Sequence, residues 1–261
     1  MLCKDIIAVI EEKYPRRYAM EWDNVGLLAG RDDKEVKSIY IAVDATDEVI
    51  TQAKELGADM LITHHPLIFG EMKQINNQDF IGRRLLELIR GDISYYAMHT
   101  NYDVKGMAEL SCEKMGLEAG EPLEVTEVEN DGKEEGIGRI IPVKSSLSLR
   151  ECCELVKRSF GLDAVRVFGD LEYGIRKIAI CPGSGKSVIG DALKKGADVL
   201  ITGDIGHHDG IDAWAQGLAV IDAGHYGIEH IFIQDVKDYL GQKLPEIAVA
   251  GAPVSHPFQN V

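Results

Sequence analysis

The stretch KELGADMLITHHP, residues 54–66, decides how the fold is predicted. It holds the end of a helical pattern, a glycine that breaks it, a short apolar run typical of a buried strand, and two histidines. The stretch KKGADVLITGDIGHH, residues 194–208, repeats this order of features. Two similar α/β halves would explain the repeat, although strands bounded by glycine recur in parallel α/β folds generally.

Helical and strand-like patterns alternate outward from these stretches. The predicted elements of the first half are a helix over 2–14, a strand over 38–45, a helix over 46–56, a strand over 58–63, a helix over 80–91 and a strand over 93–99. The second half continues the alternation up to a strand at 246–251. This rhythm predicts an α/β protein with mostly parallel sheets flanked by helices.

The rhythm changes near residue 121, where the acidic, glycine-bearing run 121–136 has the composition of an exposed connection or hairpin edge. We therefore predict a first α/β domain over 1–122 and a second over 123–244. The second domain includes a short mid-chain segment, 123–173. The C-terminal strand, within 245–261, is able to return to the first domain.

The composition argues against several classes of protein. The chain has 261 residues, with 28 Lys and Arg against 43 Asp and Glu, so its formal net charge is −15. An acidic surface repels phosphate backbones and disfavours nucleic-acid partners. No apolar run reaches the ~18 residues of a membrane span, and the N-terminus lacks the apolar core of a signal peptide. Five cysteines without a CxxC pair disfavour a disulfide framework, so we expect a cytoplasmic location.

Two adjacent histidines, His64 and His65, end the apolar run 58–63. Ligand sites in open α/β sheets lie at the carboxyl ends of strands. Adjacent side chains of a regular strand point to opposite faces, so both rings reach one site only if the backbone leaves the strand there. Pro66 favours such an irregular exit. Taken alone, the pair fits a structural role and a metal-ligand role equally well.

Two further pairs follow other predicted strands. His99 and Asp103 follow one strand, and His225 and Glu229 follow another at 218–223. His225 and Glu229 share one helix face, one turn apart, which is the geometric logic of helical zinc motifs. A capping Asp103 and a Glu229 that suits the helix dipole are the plainer alternatives.

Together these segments supply nitrogen and oxygen donors for a metal centre. The candidate metal ligands are His64, His65, Asp103, His225 and Glu229. This number exceeds what one open catalytic zinc requires and fits two divalent ions with a bridging carboxylate. Two such ions with two carboxylates keep a charge of about +2, which would stabilise a bridging hydroxide near neutral pH. The donor types favour Zn, Fe, Mn, Co or Ni and leave the choice among them open.

Three other features are candidates for supporting roles. His99 is our candidate for proton transfer, and His208 is a second candidate catalytic residue. Asp204 and His208 are predicted to line or orient the metal site. GSGKS at 183–187 fails as a P-loop because Ile180 stands where the first glycine is required. A plain tight turn and an anion-holding turn stay open as alternatives.

Six motifs, in order, resemble those of one family. They are EWDNVGLL (21–28), ITHHPLIF (62–69), HTNYD (99–103), the GSG turn (183–185), ADVLITGDIGHHD (197–209) and DAGHYGIE (222–229). Over nearly its whole length the chain resembles the hexameric dinuclear-metal-centre proteins known as GTP cyclohydrolase 1 type 2 homologues, or NGG-interacting-factor-three-like proteins. Its mid-chain region is the short form, without the large insertion that some members carry.

The resemblance implies two similar α/β domains facing a metal-containing cleft, and a toroidal homohexamer built as a trimer of dimers. It assigns two divalent metal ions to the five ligands named above, with Glu229 touching both. It also implies a GTP cyclohydrolase activity, in which a purine ring is opened and formate is released. We therefore expect a metal-dependent hydrolase that acts on a small molecule through a bridging hydroxide. A non-enzymatic metal-binding or regulatory hexamer is the alternative hypothesis.

Overall fold

A computed structural model describes residues 1–259. Over this range the strands are β1 (Gly26–Ala29), β2 (Ser38–Ala42), β3 (Met60–Thr63), β4 (Ser94–Ala97), β5 (Glu121–Val128), β6 (Glu134–Ser148), β7 (Arg166–Phe168), β8 (Gly174–Ser184), β9 (Val199–Gly203), β10 (Ala219–Asp222) and β11 (Ala248–Gly251). The helices are α1 (Cys3–Lys13), α2 (Asp47–Glu55), α3 (Phe80–Arg90), α4 (Thr100–Tyr102), α5 (Ala108–Lys114), α6 (Leu149–Phe160), α7 (Ile189–Lys194), α8 (His207–Ala215), α9 (His225–Glu229) and α10 (Ile231–Lys243). A 3₁₀ turn (Arg16–Tyr18) and a π-helical turn (Asp103–Met107) complete the described elements.

The contacts divide the chain into two compact units. Unit 1 comprises Met1–Tyr102 and Phe232–Ser255, and unit 2 comprises Asp103–Ile231 and the described residues from His256 onward. The divisions therefore fall after residues 102 and 231, whereas the sequence prediction placed them after 122 and 244. The final strand, β11, pairs with β2 in unit 1. The last two residues of the predicted segment 245–261 lie outside the described residues.

Residues 103–120 belong to unit 2 because polar side chains tie them to β6. The buried Arg139 guanidinium donates to the carbonyl oxygen of Val104 at 3.4 Å and to the carboxylate of Glu109 at 3.2 Å. The ammonium of Lys105 donates to Glu135 at 2.7 Å. A buried charge needs such partners, so these bonds hold the segment against the second sheet.

Unit 1 is built on a five-stranded sheet in the order β1-β4-β3-β2-β11. β4, β3, β2 and β11 pair in parallel, and β1 pairs antiparallel with β4. Leu85 and Leu88 of α3 share a buried cluster with Leu61 and Tyr95 of the sheet. Continuous apolar runs are typical of parallel strands covered by helices on both faces. The predicted elements of this half are confirmed, with boundaries within three residues.

Unit 2 is built on a six-stranded sheet in the order β5-β6-β8-β9-β10-β7. β8, β9 and β10 pair in parallel, but β5, β6 and β7 pair antiparallel with their neighbours. The α/β class is confirmed, whereas the expectation of mostly parallel pairing fails for this sheet. One of these antiparallel pairs, β5 with β6, follows from the tight turn between them, in which the N–H of Glu129 donates to the carbonyl oxygen of Lys133 at 2.8 Å. Such a short turn joins only antiparallel strands.

The repeated sequence corresponds to the same local architecture in each unit. β3 is the middle of the parallel trio β2-β3-β4, and β9 is the middle of β8-β9-β10. A glycine that follows a helix precedes each of these two strands. Gly57 has a φ of 64° and Gly196 has a φ of 68°. Only glycine adopts this left-handed conformation without steric cost. The glycines that break the helical patterns therefore turn the chain into the two equivalent strands.

Two global features agree with the composition. No helix within residues 1–259 is long and apolar enough to cross a membrane. All five cysteines are buried free thiols. Burial raises the pKa of Cys112 to about 11, which keeps this thiol protonated at neutral pH.

Candidate metal centre

Three histidines of unit 1 lie together at the carboxyl ends of two neighbouring strands. His64 and His65 follow β3, and His99 follows β4. Each offers a ring nitrogen, and these three atoms lie within 4.8 Å of one another. Because β3 and β4 are parallel neighbours, their carboxyl ends meet at one edge of the sheet. This unit 1 set of donors could hold a metal ion.

The chain bends after β3, so the adjacent histidines do not point to opposite faces. The hydroxyl of Thr63 donates to the carbonyl oxygen of His65 at 2.8 Å. The ring centroids of His64 and His65 are 4.8 Å apart. This geometry agrees with the irregular exit expected from Pro66.

Both of these imidazoles are held at Nδ1. Nδ1 of His64 donates to the carbonyl oxygen of Met98 at 2.9 Å, and Nδ1 of His65 lies 2.8 Å from Oδ1 of Asp44. A carbonyl or carboxylate partner requires the proton on Nδ1, so Nε2 carries the lone pair of the neutral ring. Histidines that ligate metals are commonly oriented in this way. Sequence reasoning missed Asp44, whose only signal is its position just after β2.

Asp23 holds the third histidine. Its buried carboxylate lies 2.9 Å from Nδ1 of His99 and accepts from the backbone N–H of Thr100 at 3.0 Å. Burial alone would raise its pKa, but the bonds and charge of His99, with the bonds from Thr100, lower the pKa of Asp23 to about 2. Asp23 therefore stays ionised and fixes the ring of His99. Sequence reasoning assigned Asp23 no role, although it lies in the EWDNVGLL motif.

In unit 2, helix α9 carries a histidine and a glutamate one turn apart. Nε2 of His225 lies 3.1 Å from Oε2 of Glu229, and its Nδ1 lies 2.9 Å from Oδ2 of Asp204. Glu229 is buried. With the proton of Nδ1 directed at Asp204, the short distance between Nε2 and Glu229 requires either a proton shared by these two groups or a cation held by both. The spacing thus produces the shared face that the sequence predicts.

Asp103 opens the π-helical turn, an irregularity that frequently occurs at functional sites. One of its carboxylate oxygens lies within 4.8 Å of one of Glu229. Burial raises the pKa of the Cys181 thiol, and the charges of Asp103 and Glu229 raise it further. Two carboxylates this close repel each other unless a proton or a cation compensates. The unit 2 donors, Asp103, His225 and Glu229, therefore fit a divalent ion.

Gly183 lets the carboxylate of Glu229 lie against β8. Gly183 has a φ of +76°, and a Cβ atom on it would lie 2.5 Å from Oε1 of Glu229 and 3.7 Å from Nε2 of His225. Lys186 of the same GSGKS motif pairs with Asp209, with an Nζ–Oδ1 distance of 3.1 Å. The motif therefore contributes a close approach between backbone and carboxylate, which sequence reasoning did not foresee.

The two supporting residues predicted after β9 differ in their surroundings. Asp204 has a φ of 54°, which is uncommon for a residue other than glycine, and its carboxylate contacts His225. This contact agrees with the orienting role expected for Asp204. His208 is exposed on α8, with its ring centroid 5.2 Å from that of His207. The potential metal-ligand groups within residues 1–259 do not include His208.

Each α/β unit thus carries nitrogen or oxygen donors that could hold a metal ion, and most of them directly follow parallel strands. Fold and donors together define a candidate metal-binding α/β protein. The chain belongs to the Duf34/NIF3 (NGG1p interacting factor 3) family, whose model matches residues 1–256. The resemblance carried by the six sequence motifs is confirmed.

Relatives match along most of their own lengths. The chain is 38% identical over 246 residues to the GTP cyclohydrolase 1 type 2 homolog of Clostridium perfringens, covering 94% of this chain and 93% of that protein. It is 37% identical over 248 residues to the protein of the same name from Streptococcus pneumoniae, covering 93% and 91%. Its fold is similar to the crystal structure of a Bacillus cereus protein related to NIF3, with a TM-score of 0.93, 27% identity and coverage of 100% and 99%.

Proposed function

We propose that the protein is a metal-dependent hydrolase that binds two divalent cations. Its ligands would be His64, His65, Asp103, His225 and Glu229. The observation that carries the proposal is the hydrogen bonding of each candidate histidine at Nδ1, because these bonds put the lone pair of the neutral ring on Nε2. The buried carboxylate of Glu229 adds the charge that a divalent cation requires.

The bound ions would supply Lewis acidity and an activated water for attack on an electrophilic carbon or phosphorus. Zn, Fe, Mn, Co and Ni all suit these nitrogen and oxygen donors. The chain's own contribution is orientation, since Asp44 and Asp204 hold the rings of His65 and His225 by their Nδ1 atoms. Such outer partners typically change metal affinity or activity by ~10–100-fold when they are removed.

His99 would move the proton in this reaction. The ionised Asp23 holds its Nδ1, and the ring nitrogen that His99 offers lies within 4.8 Å of those of His64 and His65. An imidazole held in this way can deliver a proton from Nε2 to a leaving group. The second catalytic candidate, His208, serves as the comparison because it is exposed on α8.

The names of the relatives make GTP the first substrate to assay. The corresponding reaction would open the purine ring and release formate, which needs both hydrolysis and proton transfer. The same proposal includes a homohexamer, which the family resemblance implies, and a cytoplasmic location, which the cysteine pattern favours.

A protein that binds metal and acts by interaction, without turnover, is the second candidate function. The observation that favours it is the family description, which names an interacting factor. In that case the metal would organise a binding surface on a homohexameric ring, and no substrate would be consumed.

Metal content tests the ligand assignment. Elemental analysis of anaerobically purified protein is expected to give two divalent ions per chain, and fewer in His225→Ala. Two ions per chain in His225→Ala would contradict the assignment of His225 as a ligand.

Turnover separates the two functions. Metal-reconstituted protein is expected to hydrolyse GTP or a member of a phosphoester and amide panel, and Asp103→Ala is expected to lose this activity. His99→Gln should keep its metal and lose turnover, whereas His208→Ala should keep both. Full metal loading with no turnover across the panel would favour the interaction function.

A further inference from the structure

The segment Trp22-Asp23-Asn24 is fixed by two of its residues while the third faces solvent. Asp23 is held by His99, and Nδ2 of Asn24 donates to the carbonyl oxygen of Ile68 at 2.7 Å. Trp22 is nevertheless 64% exposed. An indole with most of its surface in water contributes little to the hydrophobic stabilisation of the fold. A fixed loop that presents this ring therefore requires another explanation.

Phe69 is the second part of the same feature. Phe69 directly follows Ile68, whose carbonyl oxygen accepts the hydrogen bond from Asn24. Its side chain is 56% exposed. The ring centroids of Trp22 and Phe69 each lie 5.9 Å from that of His99, at interplanar angles of 74° and 88°. Two exposed aromatic rings thus contact one imidazole of the unit 1 donor set.

Single exposed apolar side chains are ordinary on protein surfaces. Two large aromatic rings that contact the same candidate site residue are a different case, because grouped exposed apolar surface marks binding sites. Their backbones are also joined through the bond from Asn24, so both rings are presented on one tethered surface. Rigid presentation lowers the entropic cost of binding a ligand.

The charges around these rings decide which ligand suits them. The carboxylates of Asp23 and Asp44 lie against His99 and His65, so they would offset the charge of about +2 that a divalent cation on His64 and His65 would bring. Quaternary ammonium groups, which clusters of aromatic rings also recognise, would gain little attraction from such balanced surroundings. An uncharged planar ring needs no such attraction, because its flat face stacks on indole and phenyl rings.

We propose that Trp22 and Phe69 form a stacking platform for a planar heteroaromatic ring of the substrate. The proposal rests on the proposed function for the reaction at the metal, and it adds the chemical class of molecule that is held there. The hydrolysed bond would lie in or beside that ring. Recognition of the ring needs only residues of unit 1, so it can be measured apart from turnover.

Fluorescence of Trp22 in the full-length, metal-loaded protein tests the platform. The chain has two tryptophans, and Trp214→Phe leaves Trp22 as the single reporter. Adenosine and nicotinamide serve as neutral ring probes, and ribose serves as the probe without an aromatic ring. Both ring probes are expected to quench the fluorescence saturably, and ribose is expected to have no effect. Quenching by neither ring probe would overturn the proposal.

Matched variants assign the effect to the two rings. Phe69→Ala is expected to weaken adenosine binding about five-fold or more, the lower end of a base-stacking contact. Phe80→Ala is the control, because Phe80 is also half exposed but lies on α3 against Arg84. Trp22→Ala, followed by calorimetry, should lose affinity to a similar extent. Equal affinities in Phe69→Ala and Phe80→Ala would overturn the proposal.

Two further outcomes are distinguishable. If Trp22→Ala changes the sedimentation coefficient and leaves adenosine binding intact, the rings contact a second copy of the chain and the platform is refuted. Metal analysis of the same samples separates the two proposals. Two bound ions without ring quenching refute the platform alone, whereas ring quenching without bound metal supports the platform and refutes the metal-dependent function.

Discussion

Replacement of Gly183 by alanine should weaken metal binding far more than it weakens the fold. The added Cβ would lie 2.5 Å from Oε1 of Glu229, whereas ordinary contacts begin at 3.4 Å. The carboxylate must therefore move by about 0.9 Å or rotate away. Because a side-chain end can move at modest energetic cost, the damage falls on the position of the donor atom.

The expected magnitudes have two separate sources. The φ of +76° at Gly183 is a left-handed conformation, which costs an alanine ~1–2 kcal/mol. For a chain of this size, that loss corresponds to a decrease of roughly 2–8 °C in Tm. Displacement of the Glu229 carboxylate should weaken metal binding by ~10–100-fold, the range measured when the geometry around a metal ligand is disturbed.

Gly196→Ala provides the matched control. Gly196 has a φ of +68°, close to that of Gly183, but a Cβ atom there meets nothing within 4 Å. Both variants should therefore lose similar Tm in the absence of metal, as measured by differential scanning calorimetry. Titration of the apo proteins with Mn²⁺ or Zn²⁺ should show weakened binding only in Gly183→Ala. Equal metal affinities in the two variants would refute the reasoning.

Three other perturbations have defined outcomes. Asp204→Asn keeps a residue type that tolerates a φ of 54° but removes the negative charge beside Nδ1 of His225. Titration calorimetry should therefore show a ~10–100-fold loss of metal affinity. An unchanged affinity would contradict the orienting role of Asp204. In a sample that contains the metal ion at ~100 times its Kd, removal of the ion with EDTA should lower Tm by roughly 5–10 °C without unfolding the chain. An unchanged Tm would mean that no ion stabilises the native state. Burial is the main cause that raises the pKa of Cys112 from 9.0 to about 11 in the folded chain. The stability that the protonated thiol contributes is therefore fully present below pH 9 and is lost as the pH rises towards 11. Chemical denaturation at pH 8 and 11 should therefore show a smaller loss of stability with pH in Cys112→Ala than in the unaltered chain, and equal losses would contradict the shifted pKa.

Local patterns were sufficient to predict the elements of unit 1. Continuous apolar runs bounded by glycine, such as the one that forms β3, strongly favour buried parallel strands. The donors that directly follow these strands could be predicted for the same reason, because chain order alone brings His64 and His99 to one sheet edge. The fixed spacing of His225 and Glu229 gave their shared helix face.

Long-range pairing was beyond the reach of the sequence. Asp23 contacts His99 across 76 positions, and Asp44 contacts His65 across 21, so neither of these orienting partners is visible in a local pattern. The antiparallel pairing of β5 with β6 depends on the turn between them, within a run whose composition left an exposed connection and a hairpin edge as alternatives. The division after Tyr102 likewise depends on the tertiary contacts of Arg139.

The hydrogen bonds that hold the imidazoles have a consequence for handling the protein. Backbone and carboxylate groups of the fold itself, such as Met98 and Asp44, hold the rings of His64 and His65. Small zinc domains, by contrast, gain their structure from the ion. A chelated sample of this chain should therefore keep its amide protection in β3 and β4, as hydrogen exchange would report. If that protection survives chelation, the proposed sites could be emptied of one metal and refilled with another, and candidate ions could be compared directly on a single preparation.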